Sequence, residues 1–162
     1  MDLIMNDPAW KNGNYNAPFA GVTSIELADL VLTTPEYFDA HTDRDQIFQQ
    51  IDNAAKAGAA SVRHDANDKI RTTQAMLRFD LSAQFGGSMA EAASAVHART
   101  LIVVSKSDHT VTPGPALDFA QRINARTLVL DDDCGHNAVS CESAQVTDAI
   151  HGLIDLSGDK LE

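Results

Sequence analysis

Apolar positions change their rhythm near residue 98. Before that point they recur at helical spacing. Ile47, Phe48, Ile51, Ala54 and Ala55 share one face of a helix expected over 43–57, and Gly58 suits the position after its end. Ala66, Ile70, Thr73 and Leu77 form the stripe of another helix, expected over 66–79 with Asp65 as its N-cap. Val22 to Leu32 reads as an apolar helix that stops at Thr33-Thr34-Pro35, and Met89 to Val96 as a short one. The first 20 residues show no period. Asn6-Asp7-Pro8 and Lys11 to Asn16 are turn formers, with Trp10 and Tyr15 as anchors. After residue 98 the pattern becomes continuous. Thr100-Leu101-Ile102-Val103-Val104-Ser105 is rich in β-branched residues, as expected of a strand buried on both faces. A helix over 114–123 follows, with Pro113 and Pro115 near its first turn. Arg126 to Leu130 reads as a second buried strand. The last helix is expected over about 141–155, with Val146, Ala149, Ile150, Leu153 and Ile154 facing inward.

This order predicts an α/β fold: a helical region over 1–97, then β-loop-α-β-loop-α over 98–162, resembling the edge of a parallel sheet. Two strands do not make a self-sufficient sheet. The rest of the sheet is therefore expected from elsewhere, either an N-terminal half or a second copy of the chain.

Composition narrows the class. Across 162 residues, 44% are hydrophobic and 22% charged, which is globular and excludes disorder and coiled coil. Twelve Lys and Arg against 23 Asp and Glu give a net charge of −11, which opposes binding to nucleic acid or to an anionic membrane. No apolar run approaches the roughly 18 residues of a membrane span, and the start of the chain lacks the pattern of a secretory signal. Cys134 and Cys141 are read as reduced thiols of a cytoplasmic protein, with a local disulfide in an exported parent as the alternative.

Ligands of open α/β sheets sit at the carboxyl ends of the strands. Two loops leave the expected strands there: Ser105-Lys106-Ser107-Asp108-His109 up to Pro113, and Asp131-Asp132-Asp133-Cys134-Gly135-His136-Asn137. An Asp after one strand and a His after the next is the tail of the Ser…Asp…His order of α/β-hydrolases. Such a His takes a proton from a nucleophile, while the carboxylate fixes its tautomer and stabilises the imidazolium. Asp108 and His136 are accordingly the candidate catalytic pair. His109 is the rival base, and Asp131, Asp132 or Asp133 the rival acid. Cys134, His136 and Cys141, with Asp133 as a fourth ligand, offer zinc-type donors, but their spacing matches no standard module and no metal is expected.

The nucleophile is harder to find. Ser88 in Phe85-Gly86-Gly87-Ser88-Met89 lies between glycine and a helix, but no strand-like run precedes it, and Ser88-Met89-Ala90-Glu91 is a capping box. Cys134 and Cys141 stand in no elbow either. The attacking group is not expected among these residues.

Four segments together resemble the C-terminal half of homoserine O-acetyltransferase-like proteins of the α/β-hydrolase superfamily. They are Ile4 to Tyr15, His64-Asp65-Ala66-Asn67-Asp68 with Arg71 to Met76, Val103 to Asp108 with Thr112-Pro113, and Cys134-Gly135-His136. The likeness covers roughly residues 4–155. It implies a helical lid over 1–97 and the end of the hydrolase core over 98–162. It implies a two-step acyl transfer, typically from acetyl-CoA as co-substrate to a hydroxyl acceptor, with no bound cofactor. It implies that Asp108 orients His136, the general base, and that the serine and oxyanion hole lie upstream of the lid. An esterase of the same fold, and a non-catalytic assembly module, are the competing readings.

Overall fold

A computed structural model of the chain describes residues 1–16, 32–43, 47–49, 52–53 and 65–155. The apolar helix expected over Val22–Leu32, apart from Leu32 itself, most of the one expected over 43–57, and His64 lie outside the described residues; 47–49 and 52–53 are helical. The chain divides into two compact units. One is drawn from Met1–Leu30 and His41–Asp80, the other from Val31–Ala40 and Leu81–Glu162.

In the first unit, helix Ala66–Arg78 starts where Asp65 accepts hydrogen bonds from the backbone N–H groups of Asn67 (2.8 Å) and Asp68 (3.1 Å). Both satisfy donors that the first helical turn leaves unpaired. The anchors expected near the start of the chain hold this same turn. The Trp10 indole donates to Asn67 Oδ1 (2.9 Å), the Asn67 amide donates to the Gly13 carbonyl (3.1 Å), and Tyr15 Oη accepts from Ala66 N–H (2.7 Å) while donating to Asp65. Ile4, Ala66 and Ile70 form the small core beneath, with Trp10 and Tyr15 packed on it. Two short elements near the start were not expected, a helix over Asp2–Met5 and a 3-10 stretch over Pro8–Gly13. The helical stripe is also shorter than its periodicity suggested, since Leu77 is 73% exposed.

The second unit carries the sheet. Strands β1 (Leu101–Ser105) and β2 (Arg126–Leu130) run parallel, from Leu101 opposite Arg126 to Ser105 opposite Leu130. Helix Gly114–Arg122 crosses between them, as parallel pairing requires. Neither strand is buried on both faces as expected. The residues of β1 are mostly half-buried and most of those of β2 exposed, because only two strands are present among the described residues and too few layers cover them. Leu130, Cys134 and Ala138 form the core, against which Tyr37, Val103, Leu128 and Val146 pack. The last helix is interrupted: Ala138–Cys141 ends before Ser143–Asp155 begins, and Ile150 and Ile154 are exposed where an inward face was expected. Pro35, expected to end a helix, opens one, Pro35–His41. Thr34 caps it by accepting the Tyr37 N–H (3.1 Å). Among the described residues no helix is long and apolar enough to cross a membrane.

Candidate active site

Because β1 and β2 are parallel and in register, the loops after Ser105 and Leu130 leave the sheet side by side. The acid loop folds on itself. Asp108 Oδ1 accepts the N–H groups of Thr110 (2.9 Å) and Val111 (2.8 Å), a local turn built by its own side chain. This leaves Oδ2 directed at the second loop, 2.9 Å from His136 Nδ1. The Asp108 side chain is 12% exposed and that of His136 is 39% exposed. Burial pushes the Asp108 carboxyl upward, but the Val111 N–H, the His136 ring and the Thr110 N–H outweigh it and hold the group below its ordinary value. Asp108 is thus an anion at neutral pH. It fixes the proton of His136 on Nδ1 and leaves Nε2 to accept one.

The histidine loop is held from a distance. Its turn requires Gly135, whose φ is +69° and whose missing Cβ would lie 2.9 Å from the Leu32 carbonyl oxygen. The Gly135 N–H donates to Ser107 Oγ (3.2 Å), which ties the two loops together beside the Asp–His pair. The His136 N–H donates to the Leu32 carbonyl (2.8 Å), and the Thr34 hydroxyl donates to the Asp133 carbonyl. Asp132 Oδ1 accepts the Cys134 N–H (2.6 Å). Sequence reasoning missed Leu32, Thr34 and Ser107. Thr33-Thr34-Pro35 reads as the end of a helix, and nothing local ties Thr34 to a loop a hundred residues away.

The rival residues take other places. Asp131 pairs with Lys106 (3.1 Å) in solvent, and His109 and Asp133 are exposed. Ser88 is the N-cap of helix Met89–Ser94, its Oγ accepting the Glu91 N–H (3.2 Å), and it follows a 3-10 turn over Ala83–Phe85 instead of a strand. Cys134 and Cys141 are not reduced thiols: they form a disulfide, their Cα atoms 6.6 Å apart after the chain doubles back at Gly135. Their sulfurs are therefore not thiolate ligands, and no metal-binding group of His, Cys, Asp or Glu occurs among the described residues.

No family model matches the chain. Three homoserine O-acetyltransferases do align with it. That of Methanosalsum zhilinae is 22% identical over 94% of the chain and 35% of its own length. That of Zymomonas mobilis subsp. mobilis is 24% identical over 97% and 48%. That of Rhodospirillum rubrum is 26% identical over 96% and 46%. Among solved structures, esterase E22 superposes with a TM-score of 0.73 at 19% identity, over 93% of the chain and 47% of its own. The acetyl esterase MekB does so with a TM-score of 0.74 at 23% identity, over 96% and 47%. The chain has part of an α/β-hydrolase fold and resembles homoserine O-acetyltransferases along nearly its whole length. It spans about a third to a half of the length of the curated relatives that it matches.

Proposed function

We propose that these residues are the C-terminal half of an O-acyltransferase similar to homoserine O-acetyltransferase, bringing the acid and the base of a Ser-His-Asp triad whose serine is supplied by sequence outside them. The observation that carries this reading is the Asp108 Oδ2 to His136 Nδ1 hydrogen bond of 2.9 Å at the carboxyl ends of two parallel strands. In the first step His136 Nε2 takes the proton of the serine hydroxyl as its oxygen attacks the acyl carbonyl. The imidazolium then returns that proton to the departing thiol of an acyl-CoA. In the second step His136 deprotonates the acceptor hydroxyl, which attacks the acyl-enzyme, and the proton goes back to the serine. Asp108 stays ionised throughout and stabilises the imidazolium. Both acyl donor and acceptor are small molecules, and no prosthetic group takes part.

The upstream half is also the partner that suits the surface. Met76, Leu77, Phe79 and Val129 are exposed, and β1 pairs with only one strand among the described residues. An uncovered strand edge and apolar faces of this kind favour association with a strand-bearing half or a second copy. The Cys134–Cys141 disulfide favours an exported parent over a cytoplasmic protein.

Hydrolysis is the second reading, favoured by the esterase neighbours, whose fold this chain shares. The test joins the chain to an N-terminal half carrying a Gly-x-Ser-x-Gly elbow and supplies acetyl-CoA with homoserine. Acetyl ester as product supports transfer. Free acetate alone supports hydrolysis. A fluorophosphonate that labels Ser88 in the isolated chain, or equal turnover without His136, overturns both.

A further inference from the structure

The disulfide is placed where a simple staple has little reason to be. Cys134 and Cys141 close a ring around the 3-10 turn Gly135–Asn137, so His136 lies inside it. The two ends differ. Cys134 is 2% exposed and is part of the core with Leu130 and Ala138, whereas Cys141 ends the four-residue helix Ala138–Cys141 and is exposed, its Sγ 3.8 Å from the Tyr37 hydroxyl. The covalent link thus pins both ends of the His136 turn to the core, one through Cys134 and the other through the helix that Ala138 buries. Besides the buried side chains of Cys134 and Ala138 that flank it, the turn is tied by hydrogen bonds: His136 N–H to Leu32, Gly135 N–H to Ser107, Ala138 N–H to the Gly135 carbonyl, and the side chain of His136 itself to Asp108.

We propose that the Cys134–Cys141 disulfide is a redox latch that positions His136 against Asp108, opened from its solvent-facing end at Cys141 by a dithiol reductant. One thiolate of the dithiol attacks Cys141 Sγ, the S–S bond breaks, and Cys134 leaves as a thiolate that takes up a proton. The second thiol of the reductant then attacks the mixed disulfide, leaving as a cyclic disulfide and releasing Cys141 as a thiol. Two electrons and two protons pass from the dithiol to the protein. The freed turn keeps its hydrogen bonds to Leu32 and Ser107 but loses the closure that fixes the direction of the imidazole. Oxidation of the two thiols resets it. Cys134 and Cys141 are positioning residues. Their effect on turnover rests on the reading of His136 as base, while their effect on its geometry does not.

The test is a long-range proton–nitrogen correlation spectrum of the imidazoles in the full chain at about pH 8, where a histidine is ordinarily neutral, with His136 assigned through His136→Gln. In the oxidised chain His136 holds the Nδ1–H tautomer that Asp108 selects. Dithiothreitol is expected to reduce that preference by roughly an order of magnitude, toward the balance of an unheld imidazole such as exposed His109. Re-oxidation restores it, and Cys141→Ser shows the reduced spectrum with or without dithiothreitol. A His136 tautomer unmoved by reduction overturns the latch. So does general loss of amide dispersion on reduction, which makes the bond a staple of the whole unit, and so does a chain that never forms the bond under oxidising conditions. In the enzyme joined to its nucleophile half, reduction lowers kcat with KM held. If His136→Gln leaves turnover intact there while the tautomer still responds to reduction, it is the base reading that fails and not the latch.

Discussion

The acid loop and the histidine loop end 2.9 Å apart, yet they are built by opposite means. Asp108 is placed by its own neighbours, with both backbone donors to Oδ1 coming from the next three residues. His136 has local supports too, the Asp132–Cys134 bond and the Cys134–Cys141 link, but it also depends on partners remote in sequence. Leu32 and Thr34 hold the backbone at 133 and 136, and Ser107 reaches across from the other loop. A self-contained turn keeps its shape when the rest of the protein is disturbed. A loop suspended from three distant points moves when any of them gives way. Of the two groups, His136 is therefore the one whose position depends on distant parts of the fold.

The largest expected effect treats both loops as equal parts of one device. In the enzyme joined to its nucleophile half, Asp108→Asn and His136→Gln should each lower kcat by about 10³- to 10⁴-fold, and the double variant little further, because residues that act as a unit are not additive. Multiplicative losses in the double variant would separate the two groups and remove the shared role.

That asymmetry also explains what could be read from the sequence. The β-branched run at 100–105 and the Arg126–Leu130 run matched the strands to within a residue, because a continuous apolar stretch of that length between turn formers has few other uses. Asp65 and Ser88 were legible as caps for the same local reason. The Asp after β1 and the His after β2 followed from the strands. Burial was not legible. Strand composition reports the layers a strand evolved to meet, and with two strands among the described residues most of β2 is exposed. Nor were the supports of His136 legible, since the backbone carbonyl of Leu32 and the hydroxyl of Thr34 leave no periodicity and no motif.

A second prediction breaks the histidine loop alone. Gly135→Ala places a Cβ in the left-handed region and against the Leu32 carbonyl oxygen, which lies 2.9 Å from where it would stand. A loss of about 3 kcal/mol is expected from strain and overlap together. A denaturant midpoint in the variant equal to that of the parent would mean that this turn is not held against residue 32. Ser107→Ala is milder. It removes the acceptor of the Gly135 N–H, at about 1 kcal/mol, and leaves the turn around Asp108 intact. The variant should therefore show a loosened His136 signal beside unchanged amide shifts at Thr110 and Val111. Shifts that move equally in both loops would deny the difference between them.

The smallest effect is electrostatic and tests the acid loop by itself. The folded carboxyl of Asp108 is held below its ordinary value by the Val111 N–H, His136 and the Thr110 N–H against the opposing pull of burial. The folded state therefore binds this proton less readily than the unfolded one. Stability from this group is complete above the ordinary carboxylate range, and it fades as pH falls through the depressed folded value. Asp108→Asn lacks that contribution at every pH. The gap in melting temperature between parent and variant should then be widest near about pH 6 and should close on acidification toward about pH 3. His136→Gln should narrow the gap without abolishing it, because the backbone donors at 110 and 111 remain. A gap that vanished with His136 would mean that the anion owes its stability to the partner loop, and that the acid loop is no more self-sufficient than the one it faces.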